Sequence, residues 1–216
     1  MDKGSGVKGS AAWPAVVFDI GGVLTTSEGG VPELSDLIGV EPERFAVPYW
    51  EHRLEYDRGS RPAEYWPRVA RDLGVEWSDE EIARIDGFDA RRWAQLAPSR
   101  LELLTSLQDG GVTTALLSNA PSSMARVVKE SDWSAGFTAR IFSCDLGLIK
   151  PDAKIYEVVE QTLARPGAEL VFFDDRPPNV AAARQRGWQA HLWTTLEAGR
   201  DVLSSLGLPI AAEPPP

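Results

Sequence analysis

Apolar residues fall along this chain in two rhythms. Short unbroken runs occur at Val16-Val17-Phe18, in the stretch from Val112 to Leu117, and at Leu170-Val171-Phe172-Phe173. Runs of this length without alternation read as strands buried on both faces, as in a parallel sheet. Shorter strands are expected near Ile141-Phe142-Ser143 and from Gln189 to Trp193. Between these runs the apolar spacing turns helical. Leu101, Leu104 and Leu107 mark one helix, stopped at Gly110-Gly111 and opened by a Ser99/Glu102 capping box. Others are predicted over about 122–130, from Lys150-Pro151-Asp152 through Val159, over about 179–186, and over about 195–206. Strands alternating with helices predict an α/β fold with a doubly wound parallel sheet.

The stretch from 26 to 98 breaks this alternation. Strand-like runs disappear, and Trp, Tyr, Glu and Arg recur at helical spacing. Ser78 with Glu81 forms a capping box ahead of Ile82 and Ile85. Ser60 and Pro62 open a helix carrying Tyr65, Trp66, Val69 and Leu73, which Gly74 ends; Pro67 inside it is expected to kink it or shift its start. Sixteen acidic residues face nine basic ones here, so most of the chain's net charge of −10 lies in this segment. The organisation expected is a core built from 13–25 and 99–208, interrupted by an acidic all-helical insert at 26–98. Residues 1–12 and 209–216 are expected to be unordered. Gly29-Gly30 and the region of Pro98 would then be the two links between insert and core, and a hinge is expected there.

Charge and composition narrow the partners. An acidic chain without Lys/Arg stripes argues against nucleic acid and against an anionic membrane surface. A single cysteine, Cys144, makes no internal disulfide, the stretch Met1-Asp2-Lys3-Gly4-Ser5-Gly6 is not apolar and no run of about 18 apolar residues occurs, so a cytoplasmic location is expected. Either a monomer or a homodimer is compatible with these data.

The chemistry gathers at the strand ends. Asp19 ends the first run and is followed by Gly21-Gly22, Ser118-Asn119 ends the second, Asp174-Asp175 ends the last, and Lys150 precedes the helix before it. Parallel strands bring their carboxyl ends to one edge, where ligands bind. Three carboxylates crowded together raise one another's pKa values, so a divalent cation is their natural partner, and oxygen ligands favour magnesium. A hydroxyl, a lysine and free backbone amides suit phosphoryl oxygens.

The stretches Phe18-Asp19-Ile20-Gly21-Gly22-Val23-Leu24, Leu117-Ser118-Asn119, Lys150-Pro151 and Phe173-Asp174-Asp175-Arg176-Pro177-Pro178-Asn179 resemble the four motifs of the haloacid dehalogenase superfamily. The run from Asp145 to Pro151, with Asp174-Asp175 and Asn179, is most similar to the branch containing bacterial α-glucose-1-phosphate phosphatase, and the insert resembles that branch's helical cap. The resemblance implies a magnesium-dependent phosphatase acting on a small phosphorylated metabolite, such as a sugar phosphate, through an aspartyl-phosphate on Asp19. It implies that Ser118, Asn119 and the Gly22 region bind the phosphoryl group and that Lys150 neutralises both it and the nucleophile. Asp19, the Gly21 carbonyl and Asp175 would hold the metal, with Asp174 and Asn179 bound to it or just behind.

Gly21 departs from the pattern, because most phosphatases of the superfamily carry there a second Asp that serves as acid and base. The haloacid dehalogenases also lack that Asp and displace halide without metal, so a dehalogenase stays open as an alternative, as does a silent binding protein. In the insert, Trp50 and Arg53 would suit a phosphorylated sugar, although a solvated amphipathic helix explains them as well. His52 is the first candidate for a substitute proton donor. His191, Cys144, Trp188 and Trp193 read as core.

Overall fold

The computed structural model describes residues 13–25 and 30–210. Five parallel strands, β1 (Ala15–Phe18), β2 (Thr114–Ser118), β3 (Ala139–Phe142), β4 (Leu170–Asp174) and β5 (Gln189–Leu192), form one sheet in the order β3-β2-β1-β4-β5. β1 lies at its centre, with Phe18 beside Leu116 on one flank and Phe173 on the other. The two faces sort by residue parity. Val16, Phe18, Leu116, Val171 and Phe173 enter one apolar cluster, whereas Ala15, Val17, Leu117, Leu170 and Phe172 enter the other. Strands covered on both faces therefore need the unbroken apolar runs seen in the sequence.

Five helices separate β1 from β2's own leading helix: α1 (Val31–Ile38), α2 (Pro42–Glu51), α3 (Arg53–Arg58), α4 (Pro62–Leu73) and α5 (Asp79–Trp93). They enclose a third apolar cluster that includes Phe45, Tyr49, Tyr56, Tyr65, Trp66 and Leu73. The remaining helices are α6 (Pro98–Asp109), α7 (Ser122–Glu130), α8 (Ser143–Leu146), α9 (Ala153–Leu163), α10 (Pro177–Gln185) and α11 (Leu196–Ser205).

Several local expectations need correction. α4 starts at Pro62 and continues past Pro67, so the proline does not shift its start; the fully buried Trp66 and Val69 hold both sides of the proline against the insert's core and outweigh the single lost hydrogen bond. α6 starts at Pro98, so Ser99 lies inside the helix and makes no cap; Ala97 stands at the N-cap without a side-chain bond. Leu101 is 45% exposed, and Leu103 takes its place beside Leu104 and Leu107 in the core. The Ser78/Glu81 capping box forms as expected, with Glu81 N–H to Ser78 Oγ at 3.3 Å and Ser78 N–H to Glu81 Oε2 at 2.8 Å. Of the two links, Gly29 lies outside the described residues, while Gly30 caps α1 at a φ of 70°. Residues 1–12 and 211–216 also lie outside the described residues, whereas Pro209 packs against Gly110 and Ile210 against the core.

Candidate active site

β1 delivers Asp19 to the carboxyl edge of the sheet, where its Oδ1 accepts the Ile20 N–H at 2.7 Å. The opposite oxygen, Oδ2, accepts no protein donor among the described residues. Lys150 approaches from the turn before α9 and is completely buried. Its Nζ reaches Asp19 Oδ1 at 3.0 Å, Asp174 Oδ2 at 2.7 Å and the Leu117 carbonyl at 2.8 Å, which uses all three donors. Burial alone pulls the lysine's pKa down, but Asp174 and Asp19 outweigh it and raise the value, so the ammonium is held charged. Burial pushes the Asp19 carboxyl up to about 7; Lys150 opposes the rise and Asp174 and Asp175 add to it. Burial likewise raises Asp175, reinforced by Asp174.

Oxygens of Asp19, Asp174 and Asp175 lie within 4.8 Å of one another. The three are not equivalent. Asp174 is fully buried at the end of β4, with Oδ1 accepting from Arg176 N–H at 2.8 Å and Asn179 Nδ2 at 2.9 Å, and Oδ2 from Lys150 and from Asn179 Nδ2 at 3.0 Å. Its oxygens are occupied, and the Asn179 amide is spent on them, so these two residues brace the site from behind rather than facing the cleft. Asp175, by contrast, lines it.

Asn119 holds the turn that carries Lys150. Its Nδ2 donates to the Lys150 carbonyl at 3.0 Å and its Oδ1 accepts the Lys150 N–H at 2.8 Å, so both ends of the amide clamp the lysine's backbone. The peptide bond from Lys150 to Pro151 within this clamp is cis. Ser118, buried at the end of β2, makes no side-chain hydrogen bond among the described residues.

The cleft above Asp19 has a volume of about 340 Å³ and is lined by Asp19, Gly21, Gly22, Trp50, Trp93, Asp175 and Arg176. Gly22 is required by geometry: its φ is +71°, and a Cβ there would stand 2.8 Å from Asp175 Cγ and closer still to its Oδ2. Gly22→Ala is expected to push Asp175 out of place and lower activity by at least about 100-fold, the scale of a small misplacement at a reacting centre. Unchanged kinetics would detach Asp175 from function.

Arg53 does not reach the cleft. It is 6% exposed, with Nε on Asp57 Oδ1 at 2.8 Å and Nη1 on Asp89 Oδ2 at 2.9 Å, and Nη1 also donates to the Tyr49 hydroxyl. The buried acids Asp57 and Asp89 demand a cation, and Arg53 satisfies both. Tyr49 donates in turn to Asp89 Oδ1 at 2.7 Å and accepts the indole N–H of Trp93 at 2.8 Å. This network fixes Trp93, whose ring lies where a side chain on Gly21 would begin, 3.0 Å from an added Cβ. His52 pairs with Asp72 at 2.6 Å and does not line the cleft, so the site offers it no role as proton donor. His191 stacks on Phe173, and Cys144 is partly buried.

Residues 13–187 match the haloacid dehalogenase-like hydrolase family, and the chain belongs to it: it is a hydrolase of that family. Among similar proteins is the sesquiterpene phosphatase astK of Aspergillus oryzae, 28% identical over 80% of this chain and 86% of its own length. Another is the (S)-2-haloacid dehalogenase H-109 of Pseudomonas putida, 30% identical over 80% of this chain and 82% of its own. The family enzyme bt-2542 of Bacteroides thetaiotaomicron shares the fold with a TM-score of 0.68 at 20% identity, covering 89% of this chain and 98% of its own, and has also been solved with magnesium and inorganic phosphate. The L-2-haloacid dehalogenase of Xanthobacter autotrophicus, solved with chloropropionic acid covalently bound, gives 0.67 at 22% identity over 89% and 83%. These likenesses reach the superfamily, not the glucose-1-phosphate branch. No helix among the described residues is long and apolar enough to cross a membrane.

Proposed function

We propose that this hydrolase is a magnesium-dependent phosphomonoesterase acting on a small phosphorylated molecule, with Asp19 as nucleophile. The observation that carries the reading is the trio Asp19, Asp174 and Asp175 gathered around one lysine. Three carboxylates against Lys150 and the neighbouring Arg176 leave the largely buried site negative, and a divalent cation balances it. The donor set fits such an ion: Asp19 Oδ2 and the Asp175 carboxylate would hold it together with the Gly21 carbonyl, all three residues lining the cleft. Bound magnesium supplies positive charge to the phosphoryl oxygens and to the carboxylates that face them.

The chain's residues do the rest. A carboxylate oxygen of Asp19 attacks phosphorus, the bond from phosphorus to the ester oxygen breaks, and its electron pair leaves with that oxygen. Water then attacks the phosphorus of the aspartyl-phosphate and releases inorganic phosphate. Lys150 holds Asp19 in line and offsets its charge, the Ser118 hydroxyl is available to a phosphoryl oxygen, and Asn119 keeps Lys150 in place. The Aspergillus relative, named a phosphatase, supports this chemistry.

A dehalogenase is the second reading. It is favoured by Trp93, whose ring against Gly21 gives an apolar wall with no acid, and by the Pseudomonas relative. The two separate in one comparison: p-nitrophenyl phosphate should be hydrolysed with magnesium and not after chelation, while 2-chloropropionate releases no halide. Metal-independent halide release would overturn the phosphatase.

Stability should carry the same signature. Burial raises the Asp19 pKa in the fold to about 7 from its ordinary 3.8, so between those values the fold binds a proton that the unfolded chain does not. Its contribution therefore destabilises the metal-free protein as pH rises from about 4 to about 7. Magnesium binds the ionised site, so its addition should raise Tm more at about pH 8 than at about pH 5. Equal gains at both would contradict the site.

A further inference from the structure

We propose, resting on the phosphatase reading, that this cleft selects phosphate esters of flat aromatic alcohols, aryl phosphates, over those of sugars and other polyols. Trp50 and Trp93 meet edge to face, with ring centroids 6.1 Å apart and an interplanar angle of 81°. Trp50 is 48% exposed at the cleft, which leaves an open ring surface. Among the described lining residues the insert contributes only these two indoles; the charged groups Asp19, Asp175 and Arg176 come from the strand ends and belong with the phosphate and the cation.

The polar groups behind Trp93 are committed to one another. The Trp93 N–H donates to Tyr49, whose hydroxyl serves Asp89 and Arg53, and Arg53 is closed off between Asp57 and Asp89. A sugar packed on the faces of the two indoles would leave the hydroxyls turned toward those faces unanswered, at roughly tenfold in affinity for each one left unpaired. An aromatic ring loses nothing there and gains an offset or edge-on partner.

Gly21 points independently to the same class. With no acid at that position and Trp93 filling the space, the ester oxygen leaves as an anion and takes its proton from water afterwards. General acid help is worth about 10²–10⁴-fold, and its absence is felt far less by a phenolate than by an alkoxide.

The test compares kcat/KM with magnesium for acetyl phosphate, phenyl phosphate, 2-naphthyl phosphate, glucose 1-phosphate and glycerol phosphate. Acetyl phosphate, with a small and acidic leaving group, reports phosphatase chemistry without help from the indoles. Phenyl and 2-naphthyl phosphate have leaving groups of similar acidity, so their ratio reports the ring contact. Expected is 2-naphthyl above phenyl, and both at least about tenfold above glucose 1-phosphate. Trp50→Ala should shrink the naphthyl-to-phenyl ratio and Trp50→Phe should largely restore it. Glucose 1-phosphate equal to or better than the aryl esters, or a ratio that Trp50→Ala does not move, would overturn the proposal. Calorimetry of 2-naphthylphosphonate against a glucose-derived phosphonate reads the cleft without turnover. If no ester is hydrolysed yet the naphthyl ligand binds tighter, the phosphatase reading fails and the selectivity stands; tighter binding of the sugar phosphonate sinks the selectivity.

Discussion

Asp19→Asn should fold, melt at or above the wild-type temperature, and lose turnover by on the order of 10⁴–10⁶-fold. The change is isosteric and removes the attacking carboxylate while keeping an acceptor for the Ile20 N–H. Stability is preserved because Asp19 is ionised at a cost: burial and the neighbouring Asp174 and Asp175 raise its pKa to about 7, so a neutral amide relieves repulsion. Kinetics beside a thermal melt check both halves. Residual turnover within about tenfold of wild type would remove Asp19 from the chemistry, whatever the melt shows.

Lys150→Met should do the opposite to stability. The methionine matches the stem but leaves Asp19, Asp174 and the Leu117 carbonyl without their shared donor in a buried pocket. Stranding one side of a buried ion pair costs about 3–5 kcal/mol, enough to lower Tm steeply and abolish activity together. Without the ammonium that opposes it, the folded-state pKa of Asp19 rises further, so the fold binds a proton that the unfolded chain lacks over a wider range, and the loss of stability shrinks toward about pH 5. A variant as stable as wild type at about pH 8 would mean that Lys150 is not the counterion of this site.

What the sequence disclosed follows from periodicity and order. Unbroken apolar runs gave the central strands, because residues such as Val16 and Val17 face opposite apolar layers, and the polar ends of those runs gave Asp19, Ser118 and Asp174-Asp175. What stayed hidden depends on pairing at long range. Arg53 reads as a free cation because nothing adjacent to it announces Asp89, 36 positions away. A signal did exist: Asp86 and Asp89 fall on the same helical stripe as Ile82, Ile85, Ala90 and Trp93, and carboxylates on an apolar stripe call for buried partners. Asp86 finds Tyr56, Ser123 and the Trp66 indole, and Asp89 finds Arg53 and Tyr49. Trp93 ends that stripe and reaches the cleft, which the motif around Gly21 could not reveal. The side-chain amides of Asn119 and Asn179 hold Lys150 and Asp174 in place, a detail that position in a motif does not disclose.

The covalent step at Asp19 can be trapped directly. Rapid acid quench during turnover of an aryl phosphate with magnesium, followed by peptide mapping, should find the phosphoryl group on the peptide that carries Asp19 and on no other. A phosphoryl group on a different residue, or an unmodified Asp19 peptide throughout turnover in the presence of hydroxylamine as a trap, would contradict it.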